Sequence, residues 1–173
     1  GATAAVTPYP HAISDDGRTM VTTKIGKVDE GLYRSTVALV GIDDRWYRQV
    51  AVTEPGSTIA PGDVAMTPDA RWVVFVARAL TSPSFPPAPA SPSQLFLYDR
   101  TTKQLTKPEQ PDWFGNPEIS DDGRFVVGNG PLGITLLDLQ AGTHKAVGSG
   151  YDPDISGDGR YVAWSSLPGD DGS

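Results

Sequence analysis

Cysteine is absent from these 173 residues. That excludes disulfides, thiolate metal sites and a cysteine nucleophile, and leaves the redox compartment open. Histidine occurs only as His11 and His144, neither with a metal-type partner at short spacing, so no metal site is expected. No Gly-x-Ser-x-Gly elbow, His-Glu-x-x-His pair or phosphate loop is present. Apolar residues nowhere recur at helical spacing over about a dozen positions, so little or no helix is expected. No apolar run is long enough to cross a membrane as a helix, and no signal peptide is recognisable, although a mature exported protein would lack one too. Fourteen basic residues stand against 21 acidic ones, a net charge of −7, and the basic residues are scattered. Phosphate recognition needs a clustered basic face, so nucleic acid is not an expected partner.

What the chain does have is strand-forming residues in short runs. Hydrophobic residues make up 38% of the sequence, enough for a core, and 19 Gly and 16 Pro punctuate them. The composition reads all-β.

The runs follow a phrase that recurs four times: Ile13-Ser14-Asp15-Asp16-Gly17-Arg18, Met66-Thr67-Pro68-Asp69-Ala70-Arg71, Ile119-Ser120-Asp121-Asp122-Gly123-Arg124 and Ile155-Ser156-Gly157-Asp158-Gly159-Arg160. Its arginines lie 53, 53 and 36 residues apart, the spacing of a supersecondary unit with variable loops. A short strand, a two-residue Asp-Gly turn and a longer strand make a hairpin, since Gly accepts positive φ. In the second copy Ala70 replaces Gly, and a changed or opened turn is expected there, because Ala resists positive φ.

Each repeat unfolds as four strands. The second unit gives about Val64–Thr67, Arg71–Ala77, Gln94–Asp99 and Lys103–Thr106; the third gives Glu118–Ser120, Arg124–Asn129, Ile134–Asp138 and Thr143–Val147. The first is looser, at Ala12–Ser14, Arg18–Lys24, Thr36–Gly41 and Trp46–Val52. Middle strands apolar on both faces imply sheet stacked on sheet.

Ser-x-Asp-Gly-Arg-x-Val, with Pro117 and Pro153 two residues before the Ile, resembles the TolB-type, WD-like β-propeller repeat over nearly the whole chain. The resemblance implies four-stranded blades set radially about a channel, usually 4–8 of them. The expected organisation is a single β-propeller unit over 1–173, with blades at about 10–61, 62–115, 116–151 and 152–173. The last blade ends after its second strand, and a strand at 3–6 could complete it or a preceding blade. A fragment of a larger propeller is expected, with a four-blade ring as the alternative. An unfinished blade leaves an edge open to self-association.

Most acidic groups have structural explanations. The Asp of each hairpin bonds turn amides, and Asp15-Asp16, Asp43-Asp44 and Asp121-Asp122 read as solvated turns. Asp152 to Gly157 imitates the start of a calcium loop, but Ala163 stands where the twelfth-position glutamate belongs. Asp170-Asp171 reads as a solvated loop. Only a carboxylate pair assembled across the channel is left open for catalysis. The chain is expected to be non-catalytic and to need no cofactor.

The surface signal is geometric. Loops entering the inner strands emerge on the same face as loops joining the second and third strands. They carry Tyr9 and His11; Trp113, Phe114 and Asn116; Tyr151 and Asp152; and Phe85 within the Pro-rich stretch 81–92. Aromatic residues in such loops anchor partners, and these residues are the candidate partner-binding set. For Trp113 and Phe114, packing between blades is the favoured alternative. A scaffold for a protein or peptide, in an extracytoplasmic bacterial setting, is the expected function. The resemblance also implies two others: the substrate-gating propeller of a prolyl-oligopeptidase-type hydrolase, and a carbohydrate-binding propeller.

Overall fold

The computed structural model describes residues 8–30, 32–52, 63–77 and 92–166. The strand expected at 3–6, Phe85 with most of the Pro-rich stretch, and Asp170-Asp171 lie outside them. The described residues form strands and turns with no helix, as the punctuation by Gly, Pro and Asp predicts.

Three sheets have four strands each and one has two. The first contains β1 (Pro8–Ile13), β2 (Thr19–Asp29), β3 (Leu32–Gly41) and β4 (Tyr47–Val52). The second contains β5 (Val64–Met66), β6 (Trp72–Ala77), β7 (Gln94–Asp99) and β8 (Gln104–Thr106). The third contains β9 (Gly115–Ile119), β10 (Phe125–Gly130), β11 (Gly133–Asp138) and β12 (Thr143–Gly148), and β13 (Tyr151–Ile155) pairs with β14 (Val162–Ser165). Each sheet is an antiparallel meander in chain order. In blade 1 the β2–β3 hairpin extends past the expected limits of Lys24 and Thr36, because pairing continues through Ile25 with Ser35, Gly26 with Arg34 and Lys27 with Tyr33.

The recurrent phrase builds the same hydrogen-bond net four times. In blade 1 Ser14 Oγ donates to Asp16 at 2.5 Å, while Asp16 accepts the Arg18 N–H at 2.9 Å and Ser14 Oγ accepts the Thr19 N–H at 3.0 Å. Thr67 and Asp69, Ser120 and Asp122, and Ser156 and Asp158 repeat it. The hairpin connection is therefore longer than a two-residue Asp-Gly turn. It runs from the Ser or Thr to the Arg, and only its Gly position has positive φ, the form in which a turn is followed by one left-handed residue.

Ala70 does not open the turn. It holds φ 56°, beside 70°, 73° and 68° at Gly17, Gly123 and Gly159, and its N–H donates to Thr67 O at 2.8 Å as theirs do to the equivalent carbonyls. Its methyl is buried in the first core cluster, and that burial offsets the strain.

Strand alternation gives each blade two apolar faces. Val21, Val37 and Leu39 of blade 1 pack with Val73, Phe75 and Tyr98 of blade 2. Val74, Val76 and Leu95 on the other side of blade 2 pack with Phe114, Ile119, Val126 and Leu137. Val127, Ile134 and Ile155 join blades 3 and 4. Each fully buried Val or Leu contributes about 1.5–3 kcal/mol. The residue after the hairpin arginine has a specific seat. A Cβ on Gly123 would collide with the Trp72 indole, and one on Gly159 with the Phe125 ring, so each ring lies on the glycine of the following blade. The pair that departs from this rule departs on both sides: Thr19 in blade 1, Ala70 in blade 2.

A backbone bond from the hairpin adds register to two of the seams. Asp15 N–H donates to Pro68 O, and Asp121 N–H to Gly157 O, each at 2.9 Å. The equivalent donor between blades 2 and 3 would be Pro68, which has no N–H. Within blades, the hairpin arginines reach the end of the third strand or its turn: Arg18 to Asp43 at 3.4 Å, Arg71 to Asp99 at 3.7 Å, Arg124 to Asp138 at 2.7 Å.

Alanine at Gly17 should meet only the strain of its positive φ, about 1–2 kcal/mol, since nothing lies within 4 Å of its Cβ position. Alanine at Gly123 should cost about 1 kcal/mol more than that, because the Trp72 ring must also move. Urea unfolding of the two variants measures the difference; equal losses would show that the ring is not seated on Gly123.

Candidate functional site

The inner strands β1, β5, β9 and β13 follow one another from blade to blade, and the loops that enter β9 and β13 lie at one end of the stack. In β9 and β13 a bulge interrupts pairing with the neighbouring strand, and there Asn116 (φ 45°) and Asp152 (φ 49°) take the left-handed conformation. Both are exposed, at the same place in successive repeats. Asn116 Nδ2 donates to Asn129 Oδ1 at 3.3 Å, and Asn129 Nδ2 to Gly150 O at 3.3 Å, so side-chain amides tie the loop entering blade 3 to the loop entering blade 4.

The structure divides the candidate residues. Tyr151 and Trp113 are exposed, as an anchoring role requires. Phe114 is not available to a partner. It is fully buried in the second cluster, with its N–H donating to Ser93 O at 3.0 Å and its carbonyl accepting Ser93 Oγ at 2.5 Å. Gly128 leaves room for its ring. Packing between blades is thus the role of Phe114 and not of Trp113. His11 is half-buried, with Nε2 2.7 Å from Thr23 Oγ1, and burial lowers its pKa; a tethered, half-buried ring replaces the exposed one expected. Tyr9 is on β1 opposite Thr23, and its side chain is outside the description, as is Phe85.

Leu132 was missed. It is 81% exposed at the β10–β11 turn, beside a groove of about 390 Å³ whose walls include Pro111, Asp112, Pro131, Thr135 and His144. One wall is held firmly: Gln110 Oε1 accepts the Leu95 N–H at 2.6 Å and Gln110 Nε2 donates to Leu95 O at 3.1 Å, substituting for a strand partner of β7. The sequence signal was an apolar residue at a hairpin tip, in Gly130-Pro131-Leu132-Gly133. A second groove, of about 460 Å³, on blade 1 carries Lys24, Lys27, Arg34 and Tyr47.

Electrostatics single out Glu118. Its carboxyl is pushed up to about 7, by burial first and by the charge of Asp154 second. Water still reaches the side chain, which is exposed, so crowding by surrounding strands rather than enclosure desolvates it. The turn carboxylates move oppositely. Asp16, Asp122 and Asp158 are lowered by their Ser hydroxyls and then by arginine N–H groups, and Asp138 is lowered to about 2 by Arg124. Among the described residues no group of three or more His, Asp or Glu is placed to hold a metal ion.

No family model matches the chain, and no curated protein matches it in sequence. Solved structures do. The β-propeller domain of the Trilobed protease from Pyrococcus furiosus is 13% identical with a TM-score of 0.55, over 82% of this chain and 41% of that one. Kuenenia stuttgartiensis hydrazine synthase is 15% identical with a TM-score of 0.56, over 87% and 53%. An acylaminoacyl peptidase of Pyrococcus horikoshii is 12% identical with a TM-score of 0.55, over 82% and 25%. At such identities the likeness is one of fold. The chain has the β-propeller architecture, three four-stranded blades and part of another, and spans between a quarter and about half of those structures' length.

Between pH 4.5 and 7 the folded state should hold a proton on Glu118 that the unfolded chain releases, so stability should fall as pH rises through that window. Glu118→Gln should flatten the decline and raise the urea midpoint at pH 8. A midpoint as pH-dependent as the wild type's would place the titration elsewhere. Asp138 acts in a separate window: its contribution is present above pH 3.8 and lost as pH falls toward 2.

Proposed function

We propose that this chain is a non-catalytic propeller scaffold of the TolB-like repeat kind, and that the end bearing the inner-strand loops binds a protein or peptide segment. Leu132 carries the proposal: a large apolar side chain held out at a tight hairpin, beside a groove walled by prolines, at the end where Trp113 and Tyr151 are also exposed. Exposed apolar anchors around a rigid groove are the usual means of gripping an extended segment. Asn116 and Asp152, both exposed on strained backbones, set polar side chains between the anchors. An extracytoplasmic bacterial setting accords with the composition.

A second reading, a propeller that screens substrates for an attached hydrolase, has in its favour that two of the similar solved structures are a protease's propeller domain and a peptidase. It uses the same end of the stack, with the channel rather than the groove as the feature that matters.

Selection of peptides from a displayed library on the wild-type chain tests the proposal. Leu132→Asp and Tyr151→Ala should each weaken the selected peptides by about 2 kcal/mol, roughly 30-fold, and change folding stability by no more than about 0.5 kcal/mol. Peptides that bind both variants as well as the wild type would remove this surface from consideration. Retention of sugars on a glycan array, lost in Tyr151→Ala, would instead select carbohydrate as the ligand.

A further inference from the structure

Among the described residues, the seam between blades 3 and 4 alone sets two carboxyl groups at matching places on neighbouring inner strands. The residue before Ile13 is Ala12 and the residue before Met66 is Ala65, whereas Glu118 precedes Ile119 and Asp154 precedes Ile155. β9 and β13 pack directly on each other. Asp154 is fixed in place, because its Oδ1 accepts the Ile155 N–H at 2.8 Å. No cation offsets the pair. The other elements packed on β9 are β5, β6, β7 and β10. β6 and β10 carry no titratable group, and β10 sets Val127 opposite Glu118. Asp63, just before β5, is buried. On β7, Tyr98 packs toward blade 1, and Asp99 lies at the strand's end, 3.7 Å from Arg71. β13 also carries Tyr151 and Asp152, both exposed. Of all these groups, Asp154 is the one whose charge acts on Glu118.

The same seam is tied on either side of the acid pair, and the ties are unequal. At the hairpin end the Asp121 N–H donates to Gly157 O at 2.9 Å. At the loop end Asn129 Nδ2 donates to Gly150 O at 3.3 Å, and Asn129 Oδ1 accepts from Asn116 Nδ2 at 3.3 Å. Those loop bonds are long, hence the weaker of the two ties. Like charges set between a short bond and a long one strain the long one first. Gly150 leads directly into Tyr151 and Asp152, and a Cβ on it would collide with the Trp164 indole, so the loop has a defined seat from which to be released.

We propose that Glu118 and Asp154 form a pH-operated latch: when Glu118 loses its proton, repulsion between the inner strands opens the Asn129–Gly150 tie and frees the loop carrying Tyr151 and Asp152. With Glu118 protonated there is one charge at the seam instead of two, and the loops entering blades 3 and 4 stay bridged. Burial and Asp154 bring that change close to neutrality, since the Glu118 carboxyl is pushed up to about 7. The latch belongs to the fold and holds whatever that end of the stack binds.

Nitrogen-15 NMR of the 173-residue chain from about pH 5.5 to 8.5 is the test. The heteronuclear NOE of Gly150, Tyr151 and Asp152, which reports fast backbone motion, should fall as pH rises, with a midpoint near 7. The Asn129 side-chain amide should shift with the same midpoint. Asp121, at the hairpin end of the seam, should keep its NOE throughout. Glu118→Gln and Asp154→Asn should each leave the loop bridged at every pH, the first by removing the titration and the second by removing the repulsion. Glu118→Ala takes the place of Glu118→Gln if that variant loses its amide dispersion. Loop NOEs constant with pH in the wild type, or a fall that persists in the Glu118 or Asp154 variants, would overturn the proposal. So would an Asn129 amide that shifts while the loop stays rigid, because the charge would then be felt without any release.

Discussion

In blades 3 and 4, one residue between Asp and Arg holds the blade to itself and to the one before it. With positive φ it closes the hairpin, and with no side chain beyond a methyl it leaves a flat floor for the ring of the preceding blade. Gly123 and Gly159 do both. The Asp before it fixes the corner through the Ser or Thr hydroxyl and the arginine N–H, so the floor stays at one height against the neighbouring sheet. Local backbone geometry and packing between blades are therefore one constraint, which is why the phrase recurs with so little variation while the loops around it vary freely.

Much of this was legible because it is local. Ser-x-Asp-Gly-Arg announces a hairpin through the residues that make its hydrogen bonds, and the apolar runs of the third strands, Leu95 to Asp99 and Ile134 to Asp138, mark their own ends. What escaped depends on partners far apart in sequence. Ala70 looked wrong for its turn because its compensation is burial among residues of blade 1. The arginines looked like strand starts, yet they reach acids on or just beyond the third strand. Blade 1 runs longer than its pattern suggests because the β2–β3 register continues past Lys24 through Gly26 and Lys27.

The candidate site shows the same division. Tyr151, Asp152, Asn116 and Trp113 were recognised from loop position and are exposed. Phe114, next to Trp113 in sequence, points into the core, and sequence position alone cannot tell which of two adjacent aromatics turns inward. Leu132 carries neither charge nor ring, so its place at a hairpin tip is the sole mark it bears in the sequence. The raised pKa of Glu118 could not have been read from its neighbours in the chain, since Asp154 belongs to the next repeat.

The proline at position 68 gives the stack an unequal grain. The seams between blades 1 and 2 and between blades 3 and 4 are pinned by a backbone bond at the hairpin, whereas the seam between blades 2 and 3 lacks that bond and is tied at its other end, where the Phe114 N–H donates to Ser93 O, with the Trp72 and Phe114 rings and aliphatic side chains filling the rest. Apolar contact resists separation but tolerates small sliding, since it has no preferred direction. At the hairpin end, sliding should then be easier between blades 2 and 3 than at either neighbouring seam, while the Ser93–Phe114 bonds hold the opposite end. Motion at that seam becomes a pivot about the Ser93–Phe114 bonds rather than a slide of whole blades.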